Sequence, residues 1–121
     1  MRSEDAPTRV TTCQEGDVCV LSVIGELTSS ADVPLTDAYT TATAHGRRHI
    51  VLDCAQTTII NSTGMALLMR IVTDCRRRGQ QIAFTGLTSH FETLLRMSGL
   101  TQFGALYPTP ADAAAALNEQ V

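Results

Sequence analysis

The chain contains no lysine; apart from three histidines, its nine basic residues are all arginine. A lysine nucleophile, a Schiff base and a P-loop lysine are therefore excluded. Charge of either sign is sparse, at 17% of residues, and the formal net charge is −3. No clustered basic excess marks a nucleic-acid footprint, so direct nucleic-acid binding is not expected. The opening stretch, MRSEDAPTRVTTCQEGD, lacks the apolar core of a secretory leader. The longest apolar run falls well short of the roughly 18 residues that span a bilayer. A cytoplasmic protein without membrane insertion is the expectation. The four cysteines, Cys13, Cys19, Cys54 and Cys75, form no CxxC pair and match no common zinc spacing. They are expected to be reduced and partly buried. Cys13 and Cys19 flank a tight turn and are candidates to face each other across a hairpin as free thiols. A GxSxG elbow is also missing, and no triad accompanies His45, His49 or His90. No catalytic, cofactor-binding or metal-ligating residue is expected, and the chain does not read as an enzyme.

What remains is the material of one folded domain. Apolar residues make up 44% of 121 positions, enough for a core and too many for disorder. The first eight residues read as a flexible N-terminus, and residues 9–119 as the domain. RVTTCQ and VCVLSVIG around the turn EGD predict a hairpin, the second strand central and ended by Gly25. Val33, Leu35, Ala38, Tyr39 and Ala42 recur at loosely helical spacing, with Pro34 in the first turn and Gly46 at the end. HIVLDC, at 49–54, predicts a buried parallel strand. AQTTIINST is expected to be a loop. Met65, Leu68, Met69, Val72 and Cys75 mark one helix face, widened by Leu67 and Ile71 and closed by Gly79. QIAFTG predicts a further core strand and GLT, at 86–88, a turn. Ser89 and Glu92 fit a capping box for a helix carrying Phe91, Leu94, Leu95 and Met97 and ending at Gly99. A short strand at Phe103–Tyr107, with Tyr107 near the sheet edge, precedes a helix capped by Thr109 and Pro110. The order β-β-α-β-α-β-α-β-α implies a mostly parallel α/β sheet with an antiparallel edge strand and about four helices.

The stretch Thr57–Met69, TTIINSTGMALLM, carries the functional signal. Polar Asn61, Ser62 and Thr63 stand between a strand-like piece and a helix beginning near Gly64. Unpaired N–H groups at a helix start donate to the oxygen of a capping hydroxyl or amide, and they favour added negative charge. One reading makes Asn61, Ser62 or Thr63 an ordinary N-cap. The other makes a hydroxyl there a phosphorylation site that flips a binding surface. Arg76, Arg77 and Arg78 read as a solvated helix end in preference to a patch for an anionic partner, and Met65 and Met69 as core more than partner surface.

Several ordered motifs carry a resemblance. Gly25–Glu26–Leu27 after an apolar strand, IVLDC, IINSTGMALLM, and the tail from Gly79 to Leu117 together resemble STAS domains of the bacterial anti-sigma-factor-antagonist type, over roughly residues 9–119. The resemblance implies regulated protein binding. The serine that a kinase-type anti-sigma factor modifies corresponds to Ser62, with Thr63 as second choice. It also implies a partner face of Glu26, Thr28, Ser29, Ser30, Asn61, Ser62, Thr63, Gly64 and Met65. The partner would be an anti-sigma factor with an ATP-binding serine kinase domain, and a phosphatase would reverse the modification. The alternative is a non-phosphorylated scaffold or adaptor in a signalling or lipid-transport complex. Two positions depart from the family: Asn61 and Thr28 stand where it has acidic residues.

Overall fold

The computed structural model describes residues 7–46 and 49–119. β1 (Thr8–Glu15) turns at Gly16–Asp17 into β2 (Val18–Leu27), and the two pair antiparallel. Then follow α1 (Asp32–Ala44), β3 (His49–Asp53), β4 (Thr57–Ile60), α2 (Ser62–Arg77), β5 (Ile82–Thr85), α3 (Ser89–Met97), β6 (Gly104–Tyr107) and α4 (Pro110–Asn118). Short 3₁₀ turns occupy Ser29–Ala31 and Leu100–Gln102. The sheet order is β1-β2-β3-β5-β6, with β4 paired to β2. Every pairing except β1–β2 is parallel. The α/β class, the antiparallel edge and the four helices are as the sequence predicts.

Alternation along the strands divides the core into two layers. Cys19, Leu21, Val23, Ile50, Leu52, Ile82 and Phe84 point to one face and pack under α1, α2 and α3. Val18, Val20, Val51 and Ala83 point to the other and meet Ala113, Ala114 and Leu117 of α4. Being apolar on both faces is what makes β2, β3 and β5 central. Small alanines let α4 lie close to the sheet, which explains an alanine-rich helix there.

The predicted loop after β3 is corrected: Thr57–Ile60 is a sixth strand. It forms because β2 does not stop at Gly25. Gly25 has φ +102° and marks a shift in register between Gly25 and Glu26. Below that bulge β2 pairs with β3 through Val18–Ser22; above it, Gly25–Leu27 pairs with β4. A side chain at Gly25 would collide with the Pro7 carbonyl oxygen, 2.1 Å from an ideal Cβ.

Other expectations shift locally. Of the eight N-terminal residues expected to be flexible, 1–6 lie outside the described residues, and Thr8 begins β1 as a buried residue. Val33, expected on the core face of α1, is 68% exposed, while Leu35, Tyr39 and Ala42 are buried. Met97 is also exposed. The cap of α3 is Thr88, whose hydroxyl accepts from Phe91 N–H at 3.1 Å, so the helix starts at Ser89 instead of being capped by it. Cys13 pairs with Val20 and Cys19 with Gln14, which puts the two cysteines on opposite faces of the hairpin. None of the four cysteines forms a disulfide among the described residues; Cys13 is exposed and the other three are buried. Burial pushes Cys54 and Cys75 up to about 11, so both stay protonated near neutral pH.

One contact sets where α2 begins. Gly64 lies in its first turn against the end of β2, and an ideal Cβ there would sit 1.8 Å from the Leu27 carbonyl oxygen. No rotamer relieves a backbone clash of that size. Gly64→Ala should lower stability by about 3 kcal/mol or more, the upper range for overpacking. Gly79 has φ +70° with open space around it, so Gly79→Ala should lower stability by about 1 kcal/mol, the conformational term alone. Urea unfolding midpoints compare the two; equal losses would contradict this account of the α2 start.

Candidate functional site

The site is built where β2 and β4 end side by side. Their parallel pairing matches Leu27 with Ile60, so the residues that follow emerge together. After Leu27 comes the 3₁₀ turn; after Ile60 comes Asn61 and the start of α2. Asn61 N–H donates to the Leu27 carbonyl at 3.3 Å, which ties the two exits.

Asn61 is the N-cap of α2. Its backbone is extended, and its side-chain oxygen accepts from Gly64 N–H at 2.9 Å. Met65 N–H makes the first intrahelical bond, to the Asn61 carbonyl at 2.9 Å. The N–H groups of Ser62 and Thr63 precede that bond and have no intrahelical acceptor. Ser62 and Thr63 are both exposed and occupy the first two positions of a 16-residue helix. Their hydroxyls therefore stand at the positive end of an aligned row of peptide dipoles, with the capping role already filled by Asn61. Arg76 and Arg77 in the last turn complement the opposite end.

The facing turn is held by hydroxyls. Thr28 caps it, accepting from Ser30 N–H at 3.3 Å, and shares a 2.9 Å hydrogen bond with the Ser30 hydroxyl. The Ser30 hydroxyl lies 2.6 Å from that of Thr8, which in turn donates to the Glu26 carbonyl. The two positions that depart from the resemblance each supply a hydrogen-bond acceptor locally. Asn61 and Thr28 each cap the element that follows, and neither carries a charge.

The predicted residues divide by role. Glu26, Ser29, Asn61, Ser62 and Thr63 are exposed; Thr28, Ser30 and Met65 are partly buried. Glu26 belongs to β2 and is paired with Ile59, so it is a strand residue and not part of the loop. Gly64 is buried and acts as the spacer that lets the two exits meet. Two exposed apolar side chains flank these exits in sequence: Ile59 on β4, 50% exposed, which the sequence reading left in a loop, and Val33 on α1, which it placed in the core. The β-branched run Thr57–Ile60 was the available signal for Ile59. Arg70 of α2 reaches Asp32 of α1 at 2.9 Å and also donates to Thr36, bracing the two helices. That guanidinium holds the Asp32 carboxyl below the usual carboxylate range. Among the described residues no His, Cys, Asp or Glu cluster could hold a metal ion, and no helix is long and apolar enough to cross a membrane.

A mostly parallel sheet thus presents a capped, hydroxyl-bearing helix start beside a second loop. The sequence matches the family described as "Mlab, STAS domain" over residues 10–108, and the chain belongs to the STAS-domain family. Solved structures agree in fold. An anti-sigma factor antagonist from Mycobacterium paratuberculosis is 22% identical, with a TM-score of 0.76 over 94% of this chain and 97% of that one. Moorella thermoacetica RsbS, as a variant, is 17% identical, with a TM-score of 0.80 over 93% and 97%. The phosphorylated form of the Bacillus cell fate determinant SpoIIAA is 14% identical, with a TM-score of 0.69 over 90% and 97%. No curated protein matches significantly in sequence.

The cap gives a direct test. Asn61→Ala should lower stability by about 1 kcal/mol, the ordinary value of an N-cap. Asn61→Asp should match or exceed the parent at neutral pH, because a carboxylate both caps and opposes the helix dipole. The helix end lowers that carboxyl's pKa relative to the unfolded chain. The advantage is therefore present above about pH 4 and fades as pH falls through the folded pKa. Thermal unfolding of the three chains between acid and neutral pH reads this out. An Asp variant less stable than the Ala variant at neutral pH would contradict the assigned cap.

Proposed function

We propose that this chain is an anti-sigma factor antagonist that binds a kinase-type anti-sigma factor and is switched by phosphorylation of Ser62. The observation that carries the reading is the exposed Ser62 hydroxyl at the first position of α2, beside two N–H groups without intrahelical acceptors. A phosphate there adds nearly two negative charges and meets those donors and the helix dipole. It therefore forms on Ser62 at little cost to the fold. Its effect falls on a partner, which meets dense charge where a neutral hydroxyl had been. Thr63, one residue on, is the second site in the same environment.

The partner face in this proposal is Glu26, Thr28, Ser29 and Ser30 from one exit, and Asn61, Ser62, Thr63 and Met65 from the other. Gly64 sets their spacing. Exposed Ile59 and Val33 supply apolar contact, which polar loops alone lack. The partner is an anti-sigma factor with an ATP-binding serine kinase domain, opposed by a phosphatase, and the setting is cytoplasmic. The domain runs from residue 9 to 119. The known phosphorylated form of SpoIIAA, a protein of this fold, supports such a switch.

A second reading, a non-phosphorylated adaptor in a signalling or lipid-transport complex, is favoured by one observation. Asn61 and Thr28 both cap without charge, so the kinase would meet two fewer carboxylates. The readings separate on affinity. For the switch, Ser62→Ala binds the anti-sigma factor as tightly as the parent, and Ser62→Asp binds at least about tenfold more weakly, about 1.4 kcal/mol. Calorimetric titration measures both. Equal affinities for the two variants would favour the adaptor.

A further inference from the structure

The far end of α2 carries a feature that the Ser62 site does not use. Met69, Val72 and Thr73 of α2, with Phe103 after the second 3₁₀ turn, line an open hollow of about 440 Å³ rimmed by Arg76 and Arg77. Phe103 is 40% exposed although it is a large aromatic. The Arg76 guanidinium stands 4.4 Å from the centre of its ring, which fixes one cation at the lip of an apolar floor. Arg76, Arg77 and Arg78 are consecutive and exposed, and the ion pairs among the described residues use Arg70 and Arg96 instead. A chain of net charge −3 thus concentrates unpaired positive charge beside an uncovered apolar surface.

We infer that this hollow docks an acidic peptide segment of a protein partner, one bulky apolar side chain seated on Met69, Val72 and Phe103 with flanking carboxylates on Arg76 and Arg77. Charge complementarity selects the acid: a guanidinium pair offers forked donors that suit carboxylates. The apolar floor selects the anchor, and half-buried Met69 adapts to its shape. The site is independent of Ser62. Fourteen residues of helix separate Ser62 from Arg76, about 21 Å along the axis, which exceeds the screening length of about 8 Å at physiological salt. Phosphate at Ser62 therefore leaves this contact in place, and a partner can stay tethered here while released there.

The test is a display selection of random dodecapeptides against the full chain, with enriched peptides then titrated by fluorescence anisotropy. The inference expects clones with a Leu, Phe, Ile or Met anchor flanked by Asp or Glu. They should lose at least about tenfold in affinity on Arg76→Glu/Arg77→Glu and on Phe103→Ala, as a central anchor does, and bind Ser62→Asp as they bind the parent. Both charge-reversed arginines are exposed, so that variant is expected to fold, and its circular dichroism and melting curve confirm this. Failure to enrich acidic clones, or clones that keep their affinity for Arg76→Glu/Arg77→Glu, would overturn the inference. So would a parent chain that sediments as a dimer which the charge reversal dissociates, because the occupant would then be a second copy. Weaker binding to Ser62→Asp would overturn the independence of this site, and none of these outcomes decides whether Ser62 is phosphorylated.

Discussion

The approach of Gly64 to the Leu27 carbonyl is the constraint on which the rest of the site depends. A side chain of any size at that position would hold α2 off the end of β2. Because nothing intervenes, the Asn61 N–H reaches the same carbonyl that Gly64 abuts. Two chain exits that are distant in sequence thereby become one surface. The bulge at Gly25 is the partner of this contact: it lets β2 outrun β3 and pair with β4, which delivers Asn61 to that carbonyl. Both glycines act through the backbone approaches they permit, and both decide where the surrounding residues stand.

The division of labour at the α2 start follows from that geometry. A helix end needs a cap, and a switch needs a free hydroxyl. Asn61 meets the first need and leaves Ser62 and Thr63 exposed for the second. Thr28 does for the neighbouring turn what Asn61 does for the helix. Both caps are therefore made without charge.

Much of this was legible in the residues. Strands buried on both faces, such as Val18–Val23, announced themselves by almost continuous apolar runs, and Thr109–Pro110 announced α4 by its cap. The apolar face of α2 was readable to within a residue or two. What was not legible depended on partners distant in sequence. Thr57–Ile60 is too short and too polar at its start to declare a strand, and becomes one because β2 continues past Gly25. The hairpin register that separates Cys13 from Cys19 follows from a two-residue turn whose exact closure periodicity does not specify. Asn61, Ser62 and Thr63 were all credible caps by composition. The choice among them rests on one hydrogen bond, from Gly64 N–H to the Asn61 side chain. Val33 looked like core because helical periodicity fixes spacing but not how far the first turn projects beyond the sheet.

The most direct measurement of the central claim is the site of modification itself. The full chain is incubated with ATP-Mg and the kinase-type anti-sigma factors of its own cell, and intact mass and peptide mapping then follow. One added phosphate on Ser62, absent from Ser62→Ala, is the predicted result. An unmodified chain in stable complex with such a factor would contradict the switch and leave a STAS domain that binds without being phosphorylated.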